Sequence, residues 1–464
     1  MQKICDICHS RAAERFDRVV ENGSAVEYAY CEACYNRAVK SGVLPQEEAR
    51  RSIARLGKEC PVCGYTAEEF TDTLLFGCPD CYRYMREVAT DAVERTQGGW
   101  VRGNANLQFV SPKESQNEGF KSADECSIDD LTRDNVVSSR IRLARNVNGL
   151  EFTNFAKDVD LRFADMIKGA KRAADAAFDA RLFTMSELSD TKKKVLLERH
   201  FISLPLANNL RSGAVIIEKG DRPQMSIMLG EEDHIREQCV IDGHSLGKAY
   251  ARIKEYDARL ARELDLAYDG QFGYLTACPT NVGTGMRASE MLFLPALRRA
   301  GAIDDAIKTF KDAYGLTVRG YFGEDSDSAY DMYQISNSRT YGVSEQETLY
   351  QVEQAVVRMC YCERVALEKL VREQKTSLID GIFRSYAVLT GAYSLNAQEL
   401  MKLLVDVKIG VILGVLPIKS TRVLNKIIEQ CSSSLEIITN GISDDERNRT
   451  RAQIVKDILS EEKL

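Results

Sequence analysis

The residues with the clearest chemical potential lie between Gly273 and Ser289, in the stretch GYLTACPTNVGTGMRAS. A single cysteine, Cys278, closes an apolar run that reads as a strand. A turn of Pro279, Thr280 and Asn281 follows, then Gly283 and Gly285, then Arg287. Turns of this composition expose backbone N–H groups that bind anion oxygens, and arginine adds a planar, permanent charge. The pattern suits a site that handles a phosphate-like anion. Taken alone, an ordinary strand–turn–helix corner with a buried cysteine explains it as well. No GK[ST] follows the glycines, which excludes a Walker P-loop. From Arg287 onward the segment ASEMLFLPALRRA reads as helical.

Other charged residues fall in patterns of the same kind. An apolar run opens at Val136 into VVSSRIRLARN. On a strand Arg140 and Arg142 project to one face, with Arg145 close by. Two such arginines repel unless an anion or carboxylates lie between them; a solvated edge strand is the plainer alternative. Glu231, Glu232 and Asp233 follow a strand at Met225–Leu229 and precede His234 and Arg236. They could form a metal site, a base constellation or a solvated turn. Three carboxylates on an apolar strand end repel one another, which favours a functional arrangement. Further on, a strand at Leu316–Arg319 leads into Gly320, Gly323 and Glu324, and a second strand covers Tyr330–Ile335. Arg319 and Glu324 thus sit in a glycine-flanked loop of the type that closes over ligands.

Eight of the 14 cysteines form four CxxC pairs: Cys5/Cys8, Cys31/Cys34, Cys60/Cys63 and Cys78/Cys81. Two intervening residues let both thiolates of a pair reach one tetrahedral ion. Taken in order, the first two pairs make one four-cysteine zinc site and the last two another. Such closed sites are structural rather than catalytic. A redox dithiol would need a thioredoxin-like strand pattern, which is missing. His9 is a neighbour of the first site. Cys360 and Cys362 stand two apart on a helix and face different ways, so they are not a metal pair.

These residues need elements to hold them. A chain of 464 residues calls for two to four domains. A helix starting at Pro45 and running to Gly57 separates the two cysteine groups, and residues 82–97 form another. From Gly98 to about Asp124 the chain is polar, glycine-rich and aperiodic, as a linker is, with Trp100 and Phe109 among its apolar residues. Helical patterns cover 160–178 and 189–200, the latter ending at His200. From Ser344 the chain is helical to its end. A content of 44% hydrophobic and 28% charged residues is that of a soluble globular protein. The start, MQKICDICHS, has no apolar core of signal-peptide length, and no membrane-spanning run is expected. A net charge of -7 argues against nucleic acid as a direct partner. Cysteine usage without a secretion signal points to the reducing cytoplasm.

SSRIRLARN, GEEDHIR, CPTNVGTGMRAS, VRGYFGE and YQISN occur here in the order and spacing of the phosphagen (guanidino) kinase catalytic domain. From about residue 126 to the end, the chain resembles the bacterial protein arginine kinases of the McsB family. The CxxC array with CPDCYRYMREV resembles the zinc-binding part of the McsA family, activators of that kinase. The whole is similar to an McsA–McsB fusion. The resemblance implies a multidomain α+β protein: a zinc module over 1–97, a linker over 98–125, a catalytic core over 126–370 built on an antiparallel sheet flanked by helices, and a helical C-terminal domain over 371–464.

It implies an ATP- and Mg2+-dependent kinase of arginine side chains in proteins, with two structural zinc sites. A kinase of free arginine or another small guanidine, and an inactive zinc-binding adaptor, are the alternatives. Small-guanidine kinases carry a helical lid domain where this chain has zinc ribbons, which favours a protein acceptor. Arg140, Arg142, Arg236, Arg287 and Arg319 correspond to the arginines around the ATP phosphates, and His200 to a nucleotide contact. Ser138, Ser139, Ile141, Ala288, Ser289, Glu290, Met291, Gly320, Tyr321, Phe322, Gly323 and Glu324 belong to the same nucleotide-binding segments. Glu232 and Glu324 correspond to the carboxylates that hold and deprotonate the guanidinium, and Cys278 to the cysteine beside it. Arginine grips phosphate bidentately, and two carboxylates can align and deprotonate a guanidinium whose pKa exceeds ~12. Nearby arginines would favour Cys278 as a thiolate. The resemblance also implies arginine-bearing protein substrates, a Clp chaperone–protease and a heat-shock repressor as partners, a stress-response role and a homo-oligomer. Gly230 stands where the family has asparagine. Arg447 is followed by Asn448 where McsB-like domains carry an Arg-Asp element that reads phosphoarginine. No helical hairpin of the McsA type follows the zinc module.

Overall fold

A computed structural model of the chain describes residues 3, 5–7, 11–21, 24–49, 59–97, 124, 126–153, 161–220, 222–320, 331–431 and 442–461. Cys8, His9, most of the expected linker with Trp100 and Phe109, the second half of the expected 45–57 helix, and Tyr321 to Glu324 lie outside these residues.

The N-terminal part is small and built around its cysteines. β1 (Arg15–Glu21) and β2 (Ser24–Tyr30) form a hairpin, and α1 (Glu32–Lys40) starts directly after Cys31. α2 (Ala67–Thr73) begins with a capping box in which Thr66 and Glu69 satisfy each other's backbone N–H. The helix expected over 82–97 is two helices, α3 (Cys81–Tyr84) and α4 (Arg86–Gln97), broken at Met85.

α5 (Ile128–Asn135) leads into β3 (Val136–Arg145), a central strand of an eight-stranded sheet. The other strands are β4 (Ala180–Thr184), β5 (Ala214–Glu218), β6 (Met225–Leu229), β7 (Ile235–Asp242), β10 (Met286–Phe293), β11 (Leu316–Gly320) and β12 (Met332–Asn337). β8 (Tyr268–Asp269) and β9 (Gly273–Tyr274) make a small separate ladder. The large sheet runs β11-β12-β10-β3-β7-β6-β5-β4 with antiparallel neighbours throughout, in agreement with the expected architecture.

The main correction concerns Met286 to Phe293. This segment is a strand, not the start of a helix. Its Ala, Met, Leu and Glu favour a helix locally, but β3 and β12 pair with its two edges, and Ala288 and Leu292 are fully buried in the core. Pairing and burial on both sides outweigh intrinsic preference. The expected strand at Tyr330–Ile335 also sits later, at Met332–Asn337.

α6 (Leu161–Ala177), α9 (Leu246–Glu263) and the first part of α12 (Glu345–Gly391) cover one face of the sheet and close the main core. α7 (Asp190–Glu198) and α8 (Leu204–Asn208) lie on the other face, over Val215, Ile217 and Met228 at the β5–β6 end. α10 (Pro295–Arg299) and α11 (Ile303–Tyr314) connect β10 to β11. α12 bends at Gln374, which has φ −132° and ψ 29°. Beyond the bend, α13 (Ala397–Ile412), α14 (Arg422–Cys431) and α15 (Asp444–Glu461) extend the same apolar core. No helix among the described residues is long and apolar enough to cross a membrane.

Candidate active site

Strand register gathers the arginines. β3 carries Arg140 and Arg142; β10 places Arg287 opposite Arg142, and β7 places Gln238 opposite Arg142 with Arg236 two residues on. β11 sets Arg319 opposite Gln334 of β12. Ser336, two residues further along β12, accepts hydrogen bonds from Arg287 at 3.2 and 3.3 Å. All five arginines therefore share the face of the sheet that α6, α9 and α12 leave uncovered. Arg140 and Arg142 are pushed down from their ordinary pKa, first by burial and then by the charges of neighbouring guanidiniums; Arg140 falls to about 10. Its Nε has no hydrogen-bond partner among the described residues. Cations crowded in this way are stabilised by an incoming anion. His200 ends the helical turn after α7 with φ 58°, and its carbonyl accepts from Gln238 at 2.6 Å. Desolvation and the charges of Arg140 and Arg142 push its imidazole down to about 4.

Of the expected nucleotide-binding residues, Ser138 and Ser289 share the arginine face. Ser139, Ile141, Ala288 and Glu290 alternate to the opposite side of their strands. Ile141 and Ala288 are core residues, and Glu290 bonds to Ser139 and to His244. Met291 stands at the register shift before Leu292, and Gly320 ends β11.

The acidic turn after β6 resolves into distinct roles. Glu231 pairs with Arg236. Asp233 is fully buried and accepts from Asn146 Nδ2 and from the Ala277 N–H, each at 2.8 Å. His234 Nδ1 accepts from the Val147 N–H at 3.1 Å, so Nε2 donates to the Glu151 carbonyl at 2.7 Å. Burial pushes this imidazole down to about 4 and keeps it neutral. Gly230 closes the turn with φ 80°, its N–H bonded to the His234 carbonyl. The metal-site alternative thus drops out: both ring nitrogens of His234 are engaged, and among the described residues the groups with metal-ligand geometry are cysteines. Glu232 differs from its neighbours. Its Oε1 is buried without a hydrogen-bond partner. Burial, then the charges of Asp233 and Glu231, outweigh Arg236 and raise its carboxyl to about 7. That is a base poised near neutral pH.

Cys278 is half-buried at the head of a short turn, Pro279–Asn281, with Sγ 3.0 Å from Thr280 Oγ1. Burial pushes its thiol up; Thr280 lowers it, while Glu232 and Asp233 raise it further. Burial and the two acids thus work against the thiolate that the resemblance implies. Gly283, with φ 107°, lets the turn meet the Thr340 carbonyl, which a Cβ there would approach to 2.2 Å.

The cysteines cluster in sequence order. Cys60, Cys63, Cys78 and Cys81 form one group, and Cys5, Cys31 and Cys34 another, with Cys8 outside the described residues. Sγ separations of 3.7 Å (Cys60–Cys78), 3.6 Å (Cys63–Cys81) and 3.9 Å (Cys78–Cys81) match the ~3.8 Å edge of a tetrahedron with Zn–S near ~2.3 Å. Donor type and spacing fit zinc.

Two contributors escape sequence reasoning. Asn146 ties Asp233 to the Leu275 carbonyl, and Gln97 bonds to the Cys278 turn. Their partners stand 87 or more residues away, beyond any local pattern.

Residues 163–366 match the model of the ATP:guanido phosphotransferase C-terminal catalytic domain. Residues 375–463 match that of the protein-arginine kinase McsB C-terminal domain, and residues 58–102 that of the McsA central zinc-finger domain. The protein-arginine kinase of Moorella thermoacetica is 38% identical over 336 residues, covering 70% of this chain and 94% of that protein. The one from Caldanaerobacter subterraneus is 34% identical over 334 residues, covering 71% and 98%. Among solved structures, the duplicated taurocyamine kinase of Schistosoma mansoni aligns with TM-score 0.53 at 20% identity, over 74% of this chain and 51% of that one. A lombricine kinase aligns with TM-score 0.52 at 20% identity, over 72% and 93%. These structural matches carry the fold.

Proposed function

This chain belongs to the protein-arginine kinase family, and we propose that it transfers the γ-phosphoryl group of ATP to arginine guanidinium groups of proteins. Phosphoryl transfer asks mainly for positioning and charge neutralisation. Arg140, Arg142, Arg236, Arg287 and Arg319 surround the phosphates of Mg2+-bound ATP, and His200 contacts the nucleotide. Glu232 and Glu324 hold the acceptor guanidinium, and Cys278 orients it. As the bond from the γ-phosphorus to the ADP oxygen breaks, a bond forms to the guanidinium nitrogen, and that nitrogen's proton passes to Glu232.

The observation that carries this reading is Glu232: a partly buried carboxylate raised to about 7, one oxygen without a partner, near Cys278 and the arginine row. The test is the pH dependence of kcat/KM for a protein acceptor. The wild type should rise with pH through about 7 as Glu232 ionises. Glu232→Gln should lack that step, and an unchanged step in the variant would remove Glu232 from the role.

The domains run over 1–97, 98–125, 126–370 and 371–464. Zinc cross-links the cysteine clusters when bound; each chain holds two ions, one among Cys5, Cys8, Cys31 and Cys34, the other among Cys60, Cys63, Cys78 and Cys81. Reduced thiols in that number favour a cytoplasmic location. A Clp chaperone–protease and a heat-shock repressor are the partners that the family likeness brings.

A further inference from the structure

The second cysteine cluster is built into the catalytic domain. Phe76 and Tyr82, fully buried, flank Cys78 and Cys81 and share one apolar core with Phe272, Leu275, Ala277 and Val282. Three hydrogen bonds run from this module to the Cys278 turn. The Phe76 N–H donates to the Ala277 carbonyl at 2.9 Å. The Tyr82 hydroxyl donates to the Thr276 carbonyl at 2.9 Å. Gln97, the last residue of α4, donates from Nε2 to the Pro279 carbonyl at 2.7 Å. Its Oε1 accepts from the Thr340 and Tyr341 N–H groups at 2.8 and 2.7 Å. Gln97 is 4% exposed. Only an amide fits there: one end faces carbonyls and the other faces N–H donors, and leaving either unmatched in a buried site is costly. Ala277 completes the link, since its N–H donates to Asp233, next to Glu232, while its carbonyl takes Phe76.

We propose that Gln97, with Phe76 and Tyr82, is a positioning residue for the acceptor turn, acting on phosphoryl transfer to arginine and not on ATP binding. The proposal rests on the reading of the Cys278 turn as the acceptor side. The arginine row stands on the sheet, which this module does not support.

The test uses the zinc-loaded full chain with Gln97→Glu and, as a milder variant, Tyr82→Phe. Gln97→Glu keeps shape and the Thr340–Tyr341 acceptor but loses the donor to Pro279. Three quantities are read: kcat and KM with a protein acceptor, ATP affinity by calorimetry, and the iodoacetamide alkylation rate of each cysteine by peptide mass spectrometry. In Gln97→Glu, kcat should fall about ten- to a hundredfold, as misplacement of reacting groups by ~1 Å does. ATP affinity should stay within about twofold. The alkylation rate of Cys278 should change severalfold while buried Cys239 and Cys360 stay protected. Tyr82→Phe should move the same readouts less. Wild-type kcat and Cys278 reactivity in both variants would overturn the proposal. So would a parallel loss of ATP affinity and of protection at every cysteine, which marks general unfolding. If the wild type places no phosphate on arginine, the functional reading fails instead, and the alkylation rates still judge the link.

Discussion

Arg142 and Arg145 stand three residues apart on one strand and are held in opposite electrostatic states. Arg145 lies on the helix-covered face, fully buried. Asp257 accepts from its Nε and Nη2 at 2.8 and 3.0 Å, the Thr284 carbonyl accepts from Nη1 at 3.0 Å, and the Tyr274 ring lies 3.6 Å beneath the guanidinium. Despite burial, Asp257 holds its pKa above the ordinary arginine value. Arg142, on the open face, is pushed down by burial and by Arg140, Arg236 and Arg287. One arginine has its anion built into the fold; the other is arranged for an anion that arrives. Residue type and strand are the same, so the difference comes from which face each side chain occupies.

The largest expected effect breaks the structural half of this pair. Arg145→Met should destabilise the protein by about 3–5 kcal/mol, because it strips a buried carboxylate of its main partner; thermal unfolding measures it. Arg142→Ala should do the reverse: kcat/KM falls by about a hundredfold or more, the scale of one lost charge-stabilising donor, while the melting temperature holds or rises. Equal stability losses in both variants would erase the distinction.

Glu232→Gln sharpens it from the acidic side. Turnover should fall at least about a hundredfold with ATP binding kept. Stability should move the other way. The folded carboxyl is raised from 4.5 to about 7, so the wild type loses stability as pH rises between those values. At pH 8 the variant should be more stable by about 3 kcal/mol, and the difference should vanish near pH 4. The smallest effect is a ligand shift: sulfate near ten times its dissociation constant should raise the wild-type melting temperature by about 1–3 °C, and Arg142→Ala should not respond.

The sequence disclosed the parts of the site that obey short periods. Arg140 and Arg142 alternate on a strand, and CxxC pairs cluster in order. It misled where partners are distant. The β10 segment looks helical until β3 and β12 take its edges. The acids that raise the Cys278 thiol, Glu232 and Asp233, belong to a separate segment that no local pattern around Cys278 reveals. Gln97 carries no signal, since the N–H groups it accepts from lie 243 and 244 residues away.

The central claim is tested most directly by acceptor choice. The full chain is incubated with Mg2+ and ATP in the presence of casein and free arginine at equal arginine concentration, and products are resolved by mass spectrometry. Phosphate should appear on casein arginines, labile to acid, at a rate far above that on free arginine. Free arginine as the better acceptor, or label on serine or tyrosine, would contradict the account.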